Sequence, residues 1–446
     1  MPINILMGRI EKNSSREAII WKDQIYSYGW LFDKIKYWDE KIKKEYVLSS
    51  GTTVQLEGDY SPNTCALLIS LIRNGNIIMP LTSVNEETRK EYQRIAEVQK
   101  ILKVDTDDAV TYEEFDRAVS HEILKGLRHS NEAGLILFSS GITGKPKAVV
   151  HSFDRLLKKF IDAKKSLRTL TFLLFDHIAG VDTLFYSLFS GGALVFPVER
   201  TPSYVCGLIE KHKIEVLPTS PTFLNLLLIS EEYKNHDLSS LKIITYGSEP
   251  MPALVLKRIN DIFPNCRIIQ KYGISELGSP KSKSKDNSSL WVKIDSENFK
   301  IKVVDGILWV KAESAMLGYL NAPSQFDDEG WFNTEDEVEV DGEYIRIKGR
   351  KSDMINVGGQ KVQPVEVESV LLEMDNIIDA TVAGEQNPIM GNIVVAKVAL
   401  EREEDIRSLV KRTKLYCKDK VAPYKIPVKV MIMEEQLFNE RYKRKR

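Results

Sequence analysis

Apolar runs rich in β-branched and aromatic residues recur through the middle of the chain, at 135–138, 170–175, 193–198, 215–217, 243–246 and 267–269. Segments with helical spacing lie between them, at 153–166, 181–188, 203–211, 222–233 and 251–262. Strands alternating with helices predict parallel pairing through right-handed crossovers, with helices on both faces of a sheet. Upstream, 53–56 reads as a strand and 62–73 as a helix entered through Ser61-Pro62.

The pattern changes near residue 280. Residues 281–289 are polar and predict an exposed loop. From 291 to 347 short strands follow one another, with turns at Asp305-Gly306 and Asp341-Gly342, the dipeptide that favours tight hairpins. A separate unit of about 100 residues begins at Gly349. It has helices at 365–374 and 404–417 and strands at 378–383, 392–400 and 428–433. The predicted fold class is α/β: a large N-terminal domain, 1–348, of mixed and parallel sheets layered with helices plus a β-rich subdomain, then a small α+β domain, 349–446. No internal repeat is present.

Composition narrows the function classes. A chain of 446 residues has room for about three compact units. With 43% hydrophobic and 28% charged residues it is neither collagen-like, mucin-like nor largely disordered. Basic and acidic residues, 62 against 63, leave a formal charge of −1, so no global field favours nucleic acid or a membrane surface. Cys65, Cys206, Cys266 and Cys417 form no CxxC pair, which argues against a structural zinc or a disulfide scaffold and suits a reducing cytoplasm. No window approaches the roughly 18 apolar residues of a membrane span, and residues 1–7 lack the features of an export signal.

One run carries the sharpest chemistry. The strand at 135–138 leads into Ser139, Ser140, Gly141, Thr143, Gly144 and Lys147. Glycines let backbone amides turn inward, hydroxyls add donors and a lysine adds charge, which together suit a polyphosphate. The spacing excludes a Walker A loop, because only two residues separate Gly141 from Gly144 and Pro146 follows Lys145. Alone, the run also reads as an ordinary surface turn. It resembles the phosphate-binding loop of the adenylate-forming ligases, the group that includes acyl-CoA synthetases, adenylation domains of peptide synthetases and luciferases. It departs once, at Ile142, where the family commonly has a hydroxyl.

Further segments resemble the same family, in the same order. The segment from Phe175 to Gly180 resembles the one whose ring lines the carboxylate pocket, which implies His177 beside the acyl carboxylate; the alternative is a histidine satisfying a helix end. The segment from Tyr246 to Pro252 resembles the adenine-contacting loop and implies contacts at Gly247, Ser248, Glu249 and Pro250. Tyr272-Gly-Ile-Ser-Glu276 resembles the family's Tyr-Gly-x-Thr-Glu. It implies Tyr272 and Gly273 at the nucleotide, Ser275 near the α-phosphate and Glu276 toward Mg²⁺, which takes few carboxylates besides phosphate oxygens and waters. The segment from Gly330 to Asp336 resembles one ending in Thr-Gly-Asp, which implies that Asp336 accepts both ribose hydroxyls; Glu335 replaces the usual glycine.

The segment from Ile347 to Glu368 resembles the family's hinge and the start of its mobile C-terminal domain. It implies Arg350 at the ribose, Ser352 at the hinge in place of the usual Asp or Lys, Gly358 and Gly359 along a thiol's path, and Lys361 as partner of a phosphate or carboxylate. Tyr442-Lys443 and Arg446 fit the family's closing register, so Lys443 would bridge carboxylate and α-phosphate. The alternative there is a solvated basic tail.

The resemblance implies a ligase using ATP, Mg²⁺ and a small carboxylic acid. The acid forms an acyl adenylate, the small domain swings about Ser352, and a thiol then attacks the carbonyl. Coenzyme A is the expected acceptor; the phosphopantetheine of a carrier protein, or an amine, is the alternative. Lys411, Arg412, Lys414, Lys418 and Lys420 suit either an acidic carrier and CoA phosphates or a plain solvated helix face. Phe175, Ile178 and the apolar helix after Pro221 suggest an apolar, aromatic or medium-length acyl group. A second class is a non-catalytic nucleotide- or acid-binding homologue, favoured by Ile142, Glu335 and Ser352 and opposed by Lys147, Glu276, Asp336, Arg350 and Lys443.

Overall fold

Sheets stacked with helices organise the protein in its computed structural model, which describes residues 1–139, 146–294, 297–388 and 390–433. The first sheet is seven-stranded, in the order Arg267–Gln270, Ile243–Tyr246, Val216–Thr219, Arg168–Leu170, Ala193–Phe196, Glu17–Trp21, Gln24–Ser27. All neighbours in it pair in parallel except the last two. The second, also seven-stranded, runs Gly318–Tyr319, Lys147–Ser152, Gly134–Ser139, Ile77–Leu81, Thr53–Glu57, Lys100–Val104, Val110–Glu114 and mixes both senses.

The alternating strands are divided between these two sheets, in keeping with the expected mixed and parallel sheets layered with helices. The helix Pro62–Arg73 is apolar on nearly every side and buried along almost its whole length, as a helix enclosed between layers must be. It shares one large core with the helix Ile178–Ser190. Pro62–Arg73, Pro202–His212 and Pro221–Ser230 each begin with proline under a Ser61, Thr201 or Ser220 cap. The missing N–H is harmless at that position, while the cap oxygen satisfies a free amide.

The third sheet is six-stranded and antiparallel, in the order Ser282–Ser284, Trp291–Ile294, Tyr344–Arg350, Phe332–Asp341, Ile307–Ala312, Phe299–Val304. The fourth, five-stranded, contains Gln360–Val362, Ile355–Val357, Gly391–Leu400, Ile377–Asn387 and Lys429–Ile432. It packs the helices Pro364–Leu371 and Ile406–Cys417 around a core of its own.

Several expected elements differ, each for a tertiary reason. The strand expected over 170–175 ends at Leu170, and the Phe172 carbonyl instead accepts from Arg200 Nε at 2.7 Å. The helix expected over 153–166 stops at Lys158, and the guanidinium of Arg9 takes the carbonyls of Ile161 and Ala163. The polar stretch at 281–289 contributes the strand Ser282–Ser284, paired with Trp291–Ile294. The turn at Asp305-Gly306 forms as expected between paired Val304 and Ile307. The next hairpin turns one residue later than expected, at Gly342-Glu343, because Asp341 pairs with Tyr344. No helix among the described residues is long and apolar enough to cross a membrane.

Candidate active site

Two parallel strands, Ile243–Tyr246 and Arg267–Gln270, end side by side with Tyr246 opposite Gln270. Ligands of α/β sheets gather beyond such carboxyl ends. A cavity of about 530 Å³ opens there, bounded on the other side by Asn333 to Asp336, Arg350 and Asp353. Its size suits a nucleotide-sized ligand.

The loop after Tyr246 owes its path to a close approach. A Cβ on Gly247 would lie 2.6 Å from the Lys271 carbonyl oxygen, so only glycine fits. Ser248 takes a left-handed backbone, φ 74°. Glu249 accepts from the Thr222 amide at 2.9 Å and from the Thr222 hydroxyl, at the start of the helix Pro221–Ser230. A carboxylate there also meets the positive end of the helix dipole. Gly247, Ser248, Glu249 and Pro250 all line the cavity.

Tyr272 and Asp336 meet across it. The Tyr272 hydroxyl donates to Asp336 Oδ2 at 2.8 Å. Asp336 lies opposite Arg350 in the ladder, and Arg350 Nε is 3.4 Å from its Oδ1. Burial raises the Asp336 carboxyl above its ordinary pKa, while the Arg350 guanidinium and the Tyr272 hydroxyl pull it back. Just before it, Glu335 holds φ 58°, the left-handed region that glycine would occupy without strain.

A second cluster surrounds Glu276. The Tyr319 hydroxyl lies 2.8 Å from Glu276 Oε1 and donates to it. Tyr319 reaches this point because Gly318–Tyr319 pairs with Val149 and Val150 of the strand Lys147–Ser152. Lys147 Nζ stands 5.2 Å from the Tyr319 ring centre, and Lys147 pairs with Ser139 in the ladder. Ser139, Lys147, Ser275 and Glu276 therefore share the cavity with Tyr272, Gly273, Asp336 and Arg350. No group of three or more metal-ligating side chains forms among the described residues. The lone carboxylate of Glu276 fits Mg²⁺, which binds mainly through phosphates and water.

His177 lines the cavity and also caps the helix Ile178–Ser190, its Nδ1 accepting from the Ala179 amide at 3.3 Å. The helix-end reading of this histidine therefore holds, and its ring also borders the cavity. Ser140, Gly141, Ile142, Thr143, Gly144 and Lys443 lie outside the described residues. Gly358 and Gly359 form the turn between Ile355–Val357 and Gln360–Val362, with φ 57° and 87°, and Lys361 follows. These three are exposed and do not line the cavity. Ser352 sits in a single turn of 3₁₀ helix, Lys351–Asp353.

Phe175 and Ile178 are core residues, 1% and 2% exposed, and do not line the cavity. Phe223 and Leu224 of the helix after Pro221 are likewise buried in the neighbouring core. Of the basic set, Arg412 is tied to Glu404 at 2.8 Å and Lys420 is paired with Glu373, which diminishes the expected docking face. Lys271, Tyr319, Gln270, Gln325 and Asp353 belong to the cavity or its clusters and were not anticipated. Tyr319 arrives only through tertiary pairing.

Known proteins share this architecture. The AMP-binding enzyme family matches residues 47–320, and the AMP-binding enzyme C-terminal domain matches residues 366–441. The chain is 26% identical over 479 aligned positions to the 2-succinylbenzoate–CoA ligase of Bacillus subtilis strain 168, covering 97% of this chain and 94% of that protein. It is 30% identical over 329 positions to acyl-CoA synthetase 7 of Caenorhabditis elegans, covering 66% and 61%. Its fold is similar to that of the anthranilate CoA ligase AuaEII solved with anthranoyl-AMP, with a TM-score of 0.80 at 20% identity over 97% of this chain and 93% of that one. It also matches the O-succinylbenzoate coenzyme A synthetase of Bacillus subtilis solved with ATP and magnesium, with a TM-score of 0.77 at 23% identity over 99% and 98%. With more than half of its length matched by one family and that family's C-terminal domain following in order, the chain belongs to the AMP-binding enzymes and is an adenylate-forming ligase.

Proposed function

We propose that the protein activates a small carboxylic acid with ATP and passes the acyl group to coenzyme A. One observation carries this reading: the Tyr272–Asp336–Arg350 cluster and the Glu276–Tyr319–Lys147 cluster meet in a single cavity. The first suits a nucleoside and the second a polyphosphate. Asp336 receives the ribose hydroxyls, because one carboxylate accepts two hydrogen bonds. Arg350 and Tyr272 hold that carboxylate in place. The backbone of Gly247, Ser248, Glu249 and Pro250 borders the base, and Ser139 and Lys147 face the phosphates.

The chemical difficulty is that a carboxylate must approach an anionic phosphorus. Fixed cations and donors lower that barrier most where water is excluded, and holding both reactants in line supplies much of the rest. Glu276 is the protein ligand for Mg²⁺, which when bound neutralises phosphate charge. Ser275 and His177 border the reacting carboxylate. Ser140, Gly141, Thr143, Gly144 and Lys443 enter this scheme through the family resemblance. Residues 1–348 form the adenylating unit, and residues 349–446 turn about Ser352. That rotation brings Gly358, Gly359 and Lys361 to the cavity for the thiol. Relatives that are themselves CoA ligases support coenzyme A over an amine or a carrier protein. Free, buried cysteines at 65, 206, 266 and 417 accord with a cytoplasmic protein.

Acid-dependent exchange of labelled pyrophosphate into ATP tests the first half-reaction. Exchange with at least one acid in the absence of coenzyme A, and thioester formation after its addition, is the expected result. Folded protein that exchanges with no acid would favour the non-catalytic homologue instead.

A further inference from the structure

Lys271 follows the strand Arg267–Gln270 and lines the cavity with His177 and Gly247. Neighbouring side chains on an extended chain leave on opposite faces. Tyr272 reaches Asp336, so Lys271 faces the opposite wall, on the side of the helix Ile178–Ser190. Asp182 of that helix is the acid that acts on Lys271 most strongly, and it is already bound to Lys159 at 2.7 Å. The other charged neighbours, Lys159, Arg267 and Lys281, are all cations. Among the described residues no carboxylate pairs directly with Lys271. Burial lowers its pKa first, the neighbouring cations lower it further, and Asp182 opposes them.

Lys271 is half-buried, and an ammonium partly withdrawn from water with no carboxylate bound to it is poorly compensated. The nucleotide does not supply one here, because Lys147 and Glu276 mark the phosphate side and Asp336 the ribose side. Gly247, whose Cβ would lie 3.5 Å from the Lys271 Cβ, leaves this wall open to a ligand. The residues that suggested an apolar acyl group, Phe175 and Ile178, are in the core.

We propose that Lys271 is the counter-ion for a second carboxylate at the far end of the substrate acid, so that the enzyme selects dicarboxylic over monocarboxylic acids. This rests on the reading of the cavity as an acid-activating site. The test uses pyrophosphate exchange with matched acids: glutarate against pentanoate, adipate against hexanoate, phthalate against 2-methylbenzoate. The wild type is expected to favour the dicarboxylic member of at least one pair by about tenfold or more in kcat/KM, the scale of one charge-assisted hydrogen bond. Lys271→Met should lower that ratio by about tenfold, and Lys271→Arg should retain most of it. The inference is overturned if the wild type uses the monocarboxylic member of every pair equally or better, whether or not the methionine variant folds. It is also overturned if Lys271→Met lowers both members alike. In either case exchange itself still upholds acid activation, whereas exchange with no acid at all overturns both.

Discussion

His151 is fully buried and its Nε2 donates to the backbone carbonyl of Ser275 at 2.6 Å, one residue before Glu276. A carbonyl only accepts, so Nε2 carries the proton. The ring thus ties the strand Lys147–Ser152 to the segment that carries Glu276. Burial holds its pKa down at about 4, against the opposing pull of the Ser275 and Ser314 carbonyls. The unfolded histidine, with a pKa of about 6.5, takes up a proton that the folded one refuses. Its contribution to stability is therefore complete above about pH 6.5 and is lost as pH falls toward 4, amounting to about 3 kcal/mol. Denaturant unfolding from pH 7.5 to 4 checks this. His151→Gln should flatten the slope of stability against pH relative to the wild type; an equal slope in both would exclude His151 as its source.

Tyr319 orients the carboxylate assigned to the metal. Removing its hydroxyl leaves Glu276 without that 2.8 Å donor while keeping the ring beneath Lys147 Nζ. Tyr319→Phe should lower kcat/KM for Mg·ATP by roughly tenfold, as expected for a hydrogen bond to a charged group. The Mg²⁺ titration of pyrophosphate exchange should move to higher concentration. A lower rate with an unchanged metal titration would place Tyr319 in packing alone.

Glu335 stores local strain. Its φ of 58° belongs to the left-handed region, and Asn333 Oδ1 accepts from its amide at 3.0 Å to hold the bend. Glu335→Gly should stabilise the protein by about 1 kcal/mol, read as a higher urea midpoint at unchanged slope. A lower midpoint would show that the side chain contributes more than the backbone costs.

The strand ends that frame the site were legible through resemblance. By type and spacing alone, the small residues after Tyr246 and the Tyr272–Glu276 pentapeptide read as ordinary turns, and it is their likeness to family segments in the right order that marks them. Asp336 and Arg350 were legible for the same reason, although their pairing depends on ladder register. Tyr319, His151 and Thr222 were not legible: each acts on a residue at least 27 positions away, and no pattern in their own segments marks it. The core position of Phe175 and Ile178 was not legible, because an apolar run beside a histidine looks alike whether it lines a pocket or fills a core. The fold followed the same division. The helix entered through Ser61-Pro62 was readable, whereas the break at Leu170 depends on Arg200 and the break at Lys158 on Arg9.

Substitution of Asp336 tests the proposed ribose contact apart from the rest of the reaction. It is buried, accepts from Tyr272 and faces Arg350, so Asp336→Asn keeps the shape but removes the charge and one acceptor edge. Loss of the charge and of one acceptor for the ribose hydroxyls should raise the KM for ATP by about tenfold or more. AMP should raise the melting temperature of the wild type and have little effect on the variant, since stabilisation by a ligand follows its affinity for the folded state. Arg350, still cationic in the variant, loses its partner, so the ligand-free protein should itself melt at a lower temperature. Normal AMP stabilisation in the variant would remove Asp336 from the ribose site and leave it the structural role of anchoring Tyr272 and Arg350.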